Sequence, residues 1–229
     1  DVLAAYPDVD PKKVVTIRNG VDTSEFAPNN NPAVLEEFGI TGRYAMFVGR
    51  ITRQKGLAHL LRAWKSVPAE YGLVLAAGSP DEETVGNEVA ALIAELQATR
   101  SNVWWIKEML PHDKLTAALT QADLFLCPSI YEPLGIVNLE AMGCETAVLA
   151  SRVGGIPEVV SHQETGILVD YTPDHSRFEA DLTAAISELM ADPARLEKYG
   201  KAGRVRAETH FGWDAVAQQT ISLYRSVIS

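Results

Sequence analysis

The 229-residue chain is short of positive charge. Its 20 lysines and arginines stand against 30 aspartates and glutamates, for a net charge of -10. That balance argues against a nucleic-acid-binding surface and leaves any phosphate contact to a few placed cations. Cysteine is scarce as well. Cys127 and Cys144 both sit among apolar residues, so they read as buried thiols of a reducing cytoplasm, not as a disulfide framework. No apolar run approaches the roughly 20 residues that span a bilayer, and no leader-type segment opens the chain. A soluble, cytoplasmic protein without a membrane span is expected. Two phosphate motifs are missing: G-x-G-x-x-G and G-x4-G-K-[ST]. A nicotinamide-dependent dehydrogenase is therefore a poor reading. The chain opens on Asp1 and the turn-rich "AYPDVDPKK", which reads as a fragment of something longer.

Apolar residues make up 47%, enough for a core and too many for disorder. Apolar runs alternate with helical periodicity. Strands are expected at 13–17, 44–49, 71–78, 102–106, 123–129, 146–151 and 165–170. Helices are expected at 31–40, 56–67, 86–97, 111–122, 133–143 and 156–162, with three more near 176–191, 193–209 and 213–228. The strands are continuously apolar, so both of their faces are buried. This predicts an α/β fold: a doubly wound, Rossmann-like parallel sheet with helices on both faces. Residues 1–13 read as a linker remnant, 14–210 as the Rossmann-like domain and 211–229 as a terminal helix. Ligands of such sheets bind at the carboxyl ends of the strands, where the strand order reverses. The residues that follow the strands therefore carry the functional reading.

After 44–48 comes "GRITRQKG", which offers Arg50 and Lys55 ahead of a helix. A forked guanidinium and a point-charge ammonium there could hold a pyrophosphate, or could be two solvated loop cations. After 102–106 comes "KEMLPHD", where backbone groups could meet a base edge. His112 in this segment reads as an exposed first-turn residue before it reads as a chemical group. After 123–127 comes "SIYEPLGIVNLE". Pro133 fits a first helical position, Gly135 permits close backbone approach, and the amides of 134–136 would form an anion site. Glu132 and Glu140 lie eight residues apart, roughly 12 Å along a helix. Paired glycosidase carboxylates face one another across about 5 to 9.5 Å, so these two fit better as contacts along an extended ligand. "SRVGGIPE" (151–158) adds two glycines before a further helix. Asp8-Val9-Asp10 has the D-x-D form of a metal ligand pair, but it sits between prolines ahead of any strand and reads as a turn.

"RNGVD" (18–22), "FVGRITRQKG" (47–56), "YEPLGIVNLEAMGC" (131–144), "SRVGGIPEVV" (151–160) and "TGILV" (165–169) follow one another in the chain. Together they resemble the retaining glycosyltransferases of the family 4 type. These have two Rossmann-like domains in a GT-B architecture and include sucrose synthases and bacterial glycogen synthases; actinobacterial glycogen synthases look most similar. The resemblance covers only the family's carboxyl-terminal, nucleotide-sugar-binding half. It implies that Arg50 and Lys55, beside Gly49, bind the donor diphosphate. It implies that Glu132 stands near the anomeric carbon, that Pro133 and the amides of Leu134, Gly135 and Ile136 hold sugar and phosphate, and that Glu140 takes the ribose hydroxyls. Met109 and Leu110, within 107–110, would face the base. The donor would be ADP-glucose or UDP-glucose, with no metal or other cofactor. The acceptor, an α-glucan, would bind the missing half, and the terminal helix would cross back to it. Another hexosyl- or mannosyltransferase of the family, or a sugar-nucleotide epimerase of the same architecture, is the alternative. One departure stands out. Relatives read A-C-G-T after the motif helix, and this chain reads "GCET" (143–146), so either Gly143 ends the helix or Glu145 is tolerated in the turn.

Overall fold

The computed structural model describes residues 2–228. Asp1 and Ser229, the outer limits of the expected linker and terminal helix, lie outside the described residues. A single turn, α1 (Val2–Ala5), precedes a short helix α2 (Ala33–Phe38), which Gly39 closes in the left-handed conformation. Then strands and helices alternate: β1 (Tyr44–Ile51), α3 (Leu57–Trp64), β2 (Gly72–Pro80), α4 (Glu83–Gln97), β3 (Val103–Ile106), α5 (His112–Thr120), β4 (Leu124–Cys127) and α6 (Ile136–Gly143). β5 (Val148–Ser151), α7 (Ile156–Val159) and β6 (Gly166–Val169) follow, and α8 (His175–Met190), α9 (Pro193–Arg206) and α10 (Trp213–Ile228) complete the chain.

All ladder pairings are parallel, and the strand order is β3-β2-β1-β4-β5-β6. Side chains alternate along each strand between two apolar layers. Ala45 and Phe47 of β1 join Leu60, Trp64, Leu75 and Phe178 on one face. Tyr44 and Met46 join Val74, Phe125, Met142 and Val148 on the other. This is the doubly wound, Rossmann-like sheet with helices on both faces that the continuous apolar strands predict. The order reverses between β1 and β4, so the carboxyl ends of those two strands flank the crevice where ligands of such sheets sit.

Two expectations fail. The segment 13–17 is not a strand: Pro11–Lys13 form a 3-10 turn, and the residues after it run without a ladder, with Val15 exposed. β-Branched residues favour extended backbone, but a strand also needs a neighbour to pair with. Arg18 pairs with Glu158, and the first ladder-type pairing of this region with the domain is a lone bridge from Val21 to Gly212. The second failure concerns Pro133. Helix α6 starts at Ile136, because Gly135 takes φ 87° and ψ 52°, outside any helix. Pro133 therefore lies in the preceding turn, and Glu132 and Glu140 do not share one helix. In the D-x-D stretch, Asp10 accepts from the Lys12 N–H at 3.0 Å and caps the 3-10 turn.

The open question at 143–146 resolves on Glu145. Its φ is 62°, and the bonds Thr146 N–H to Ala141 O (3.0 Å) and Glu145 N–H to Met142 O (3.0 Å) complete a Schellman stop. Gly143 serves packing instead: a Cβ there would stand 2.6 Å from the Phe26 carbonyl oxygen. Glu145 reaches Arg204 only at 3.9 Å on the surface, a contact worth little. A left-handed L-residue costs roughly 1–2 kcal/mol. Glu145→Gly is therefore expected to stabilise the domain by about 1 kcal/mol in urea unfolding. Loss of stability would mean that the Arg204 contact outweighs the backbone strain.

Candidate functional site

The β1–α3 turn is built for close contact. Thr52 caps the 3-10 turn Arg53–Lys55 by accepting from the Lys55 N–H. Gly56 then turns left-handed at φ 65°, and a Cβ on it would lie 2.0 Å from the Pro128 carbonyl oxygen. The Ile130 N–H donates to the Gln54 carbonyl at 2.8 Å. The turn after β1 is thus pressed onto the loop after β4. As a result the Lys55 Nζ meets Glu132 Oε2 at 2.6 Å, with both side chains largely shielded from solvent.

The loop after β5 locks in from the other side. The Gly155 N–H donates to the Glu132 carbonyl at 3.0 Å, and a Cβ on Gly154 would lie 1.9 Å from the same oxygen. A Cβ on Gly155 would lie 2.1 Å from the Pro133 carbonyl. The two glycines of "SRVGGIPE" thus hold Glu132 and Pro133 by backbone contact alone.

Beside this turn lies a cavity of about 560 Å³ under the ends of β1, β2 and β3. Gly49, Arg50, Asp81, Met109 and Leu110 are among its walls. Met109 is almost wholly exposed at its rim, while Leu110 is buried. Lys107 lies 4.3 Å over the Trp105 ring, and the Trp105 indole N–H donates to the Ala77 carbonyl at 3.0 Å, which anchors the β3 end of the wall. Arg50 is mostly exposed, and its Nη1 donates to both carboxylate oxygens of Asp81, at 2.8 and 3.0 Å. Glu140 points from α6 into a partly buried setting. Burial pushes its carboxyl above the usual carboxylate range, and the nearby His112 and Lys55 oppose that rise.

The structure therefore brings Lys55 and Glu132 together, with Arg50, Gly49, Met109 and Leu110 in the adjoining cavity, and sets Glu140 apart in α6, within reach of the Lys55 charge but not in contact with it. Leu134 and the left-handed Gly135 lead into α6, which Ile136 begins. His112 is spoken for: its Nε2 stands 3.0 Å from the Glu25 carbonyl, and its ring packs edge-on against Phe26. Both cysteines are free and buried, and burial pushes the Cys144 thiol up to about 12. Two residues of interest escape the sequence reading. Asp81, the partner of Arg50, directly follows β2, and the segment after that strand carries it in plain view. Asn138 in α6 is hidden inside an apolar helix pattern.

A sheet with this order, with the crevice between β1 and β4, defines a doubly wound, Rossmann-like α/β domain. The sequence profile described as "Glycosyl transferases group 1" matches residues 36–206, and the chain belongs to this family. The chain is 48% identical over 233 residues to the alpha-maltose-1-phosphate synthase of Mycolicibacterium smegmatis, covering 99% of this chain and 60% of that protein. It thus spans well under two thirds of that relative's length. Among solved structures, sucrose-phosphate synthase from Thermosynechococcus elongatus superposes with a TM-score of 0.81 at 30% identity, covering 99% of this chain and 55% of that one. The Anabaena protein HepE in complex with UDP-glucose does so with a TM-score of 0.81 at 21% identity, covering 96% and 59%; at that identity the likeness is one of fold. The expected closeness to glycogen synthase finds no support in these relatives. A different hexosyltransferase of the same family fits them better.

The raised Glu140 carboxyl makes a testable statement about pH. A group whose folded pKa lies above its unfolded value stabilises the fold at pH below the unfolded value. It loses that contribution as pH rises through the folded value. Glu140→Gln is therefore expected to melt above wild type at pH 8, with the gap closing toward about pH 4. A gap that does not change with pH would show that the carboxyl is not held charged against its surroundings.

Proposed function

We propose that this chain is the donor-binding half of a retaining glucosyltransferase that takes ADP-glucose or UDP-glucose. The observation that carries this reading is the Lys55–Glu132 pair, set at the strand-order reversal beside the cavity that Arg50 lines. Lys55 and Arg50 would receive the diphosphate, each exchanging a carboxylate partner for phosphate oxygens. The protein cations and the amides of Leu134, Gly135 and Ile136 would then stabilise the leaving nucleotide without a metal. Glu132 would lie beside the sugar, Glu140 under the ribose, and Met109 with Leu110 against the base.

The 48% identity to alpha-maltose-1-phosphate synthase supports a reaction with a small acceptor over elongation of an α-glucan. Breaking the glycosidic bond of maltose 1-phosphate leaves a glucosyl unit and glucose 1-phosphate. The whole protein would therefore join a glucosyl unit from the nucleotide to glucose 1-phosphate held on the other half. The 229-residue chain alone would bind the nucleotide weakly and transfer nothing, because the acceptor and the closing cleft lie elsewhere.

Calorimetry with ADP, UDP, GDP and NAD tests the donor site. One diphosphate nucleotide should bind best and NAD should not bind. Lys55→Ala, checked by melting to be folded, should lose about tenfold or more in affinity. Equal affinity in wild type and Lys55→Ala would sink the phosphate role. With the amino-terminal half restored, nucleotide-glucose and glucose 1-phosphate should yield a sugar phosphate; elongation of a glucan primer instead would return the glycogen synthase reading.

A further inference from the structure

Asn138 lies in the first turn of α6 and is fully buried. Neither its Nδ2 nor its Oδ1 has a hydrogen-bond partner. Buried amides are almost always paired, so an unpaired one calls for a reason. The position of the side chain supplies one. A Cβ on Gly135 would stand 2.6 Å from Asn138 Nδ2, so the amide occupies the space behind Gly135, where another residue would carry its side chain. The same spot faces Ile156 and the Glu132 side chain. Asn138 thus sits, fully buried, directly against the 132–135 turn.

A peptide unit carries its N–H and its C=O on opposite sides. When the backbone of this turn aims an N–H at a ligand in the cleft, the carbonyl of that same peptide points inward. We propose that Asn138 is a positioning residue, whose side-chain amide pairs with the turn's inward carbonyl when the outward N–H groups take the donor diphosphate. The amide lacks a partner in the ligand-free protein and gains one on binding. This rests on the donor-binding reading above and adds to it the group that holds the turn in its binding conformation. Val137 and Leu139, on either side, offer no polar atom for the task.

The test separates stability from affinity. Leucine matches asparagine in shape and lacks the polar atoms. Replacing an unpaired amide by such an isostere removes a desolvated group and no bond. Asn138→Leu should therefore melt at or above the wild-type temperature, while its affinity for ADP or UDP falls about tenfold. In the wild type, the Asn138 side-chain NH2 resonance should move downfield on saturation with the better nucleotide. Unchanged affinity in Asn138→Leu overturns the proposal. So does a lower melting temperature or a failure to fold, because either would mean that the amide already has a partner in the free protein. A wild-type chain that binds neither nucleotide overturns the donor reading itself, and this proposal with it. Wild-type binding that Asn138→Leu retains overturns this proposal alone.

Discussion

Backbone pressed against backbone at the carboxyl edge of the sheet governs this site. Gly56 lies on the Pro128 carbonyl, Gly154 on the Glu132 carbonyl and Gly155 on the Pro133 carbonyl, each too close to admit a methyl group. Three loops, from β1, β4 and β5, interlock with no side chains between them. Close-packed interiors transmit displacement instead of absorbing it. The Lys55–Glu132 contact is thus a consequence of how the loops stack, not of two long side chains finding each other. A surface ion pair of flexible side chains would define no geometry. This one inherits its geometry from the peptides beneath it.

The charge arrangement follows from the same frame. The chain is acidic overall, so a diphosphate gains no long-range attraction from net charge. Recognition must act at contact. Two cations near the crevice are already neutralised, Lys55 by Glu132 and Arg50 by Asp81. A small anion would have to displace a carboxylate and would offer one contact in return. A nucleotide diphosphate can engage both cations, the turn before α6 and the cavity wall together. On the proposed reading, the ion pairs would act as a filter that favours extended ligands over simple anions.

The sheet was legible because parallel strands buried on both faces leave an unbroken apolar signature, and the six strands from 44 onward follow it. The 13–17 segment shows the limit of that signature: it has the strand composition and no neighbour to pair with. Pro133 shows another. Proline at a helix start is a sound local rule, but Gly135 in the left-handed region postpones the helix by three residues. Lys55 and Glu132 were both singled out, as separate contacts to phosphate and sugar. Their mutual contact was not, since they stand 77 residues apart and only the stacking of loops joins them. Asp81 could have been found by reading the residues after β2 as the other strand ends were read. Asn138 had a fainter mark, a lone amide among Ile, Val and Leu, which a reading of the helix as one apolar stripe passes over.

Glu132 and Glu140 first suggest a pair of catalytic acids, and the geometry gives each a different duty. Glu132 presents one oxygen to an ammonium at 2.6 Å, so that oxygen is committed to a charge contact. Glu140 sits apart in α6, where burial disfavours its charge. A hydrolytic pair needs two carboxyl groups facing each other across one bond, one giving a proton as the other acts on the opposite face. Here one carboxylate is tied to the Lys55 ammonium and the other is set back along the helix. Such an arrangement measures a ligand along its length. Beside Glu132, Tyr131 is exposed, and so are Ile136 and the apolar stripe of α10, with Trp213, Tyr224 and Val227. On the proposed reading, this chain would take the length and charge of the donor, and the group that reacts at the sugar would come from across the crevice.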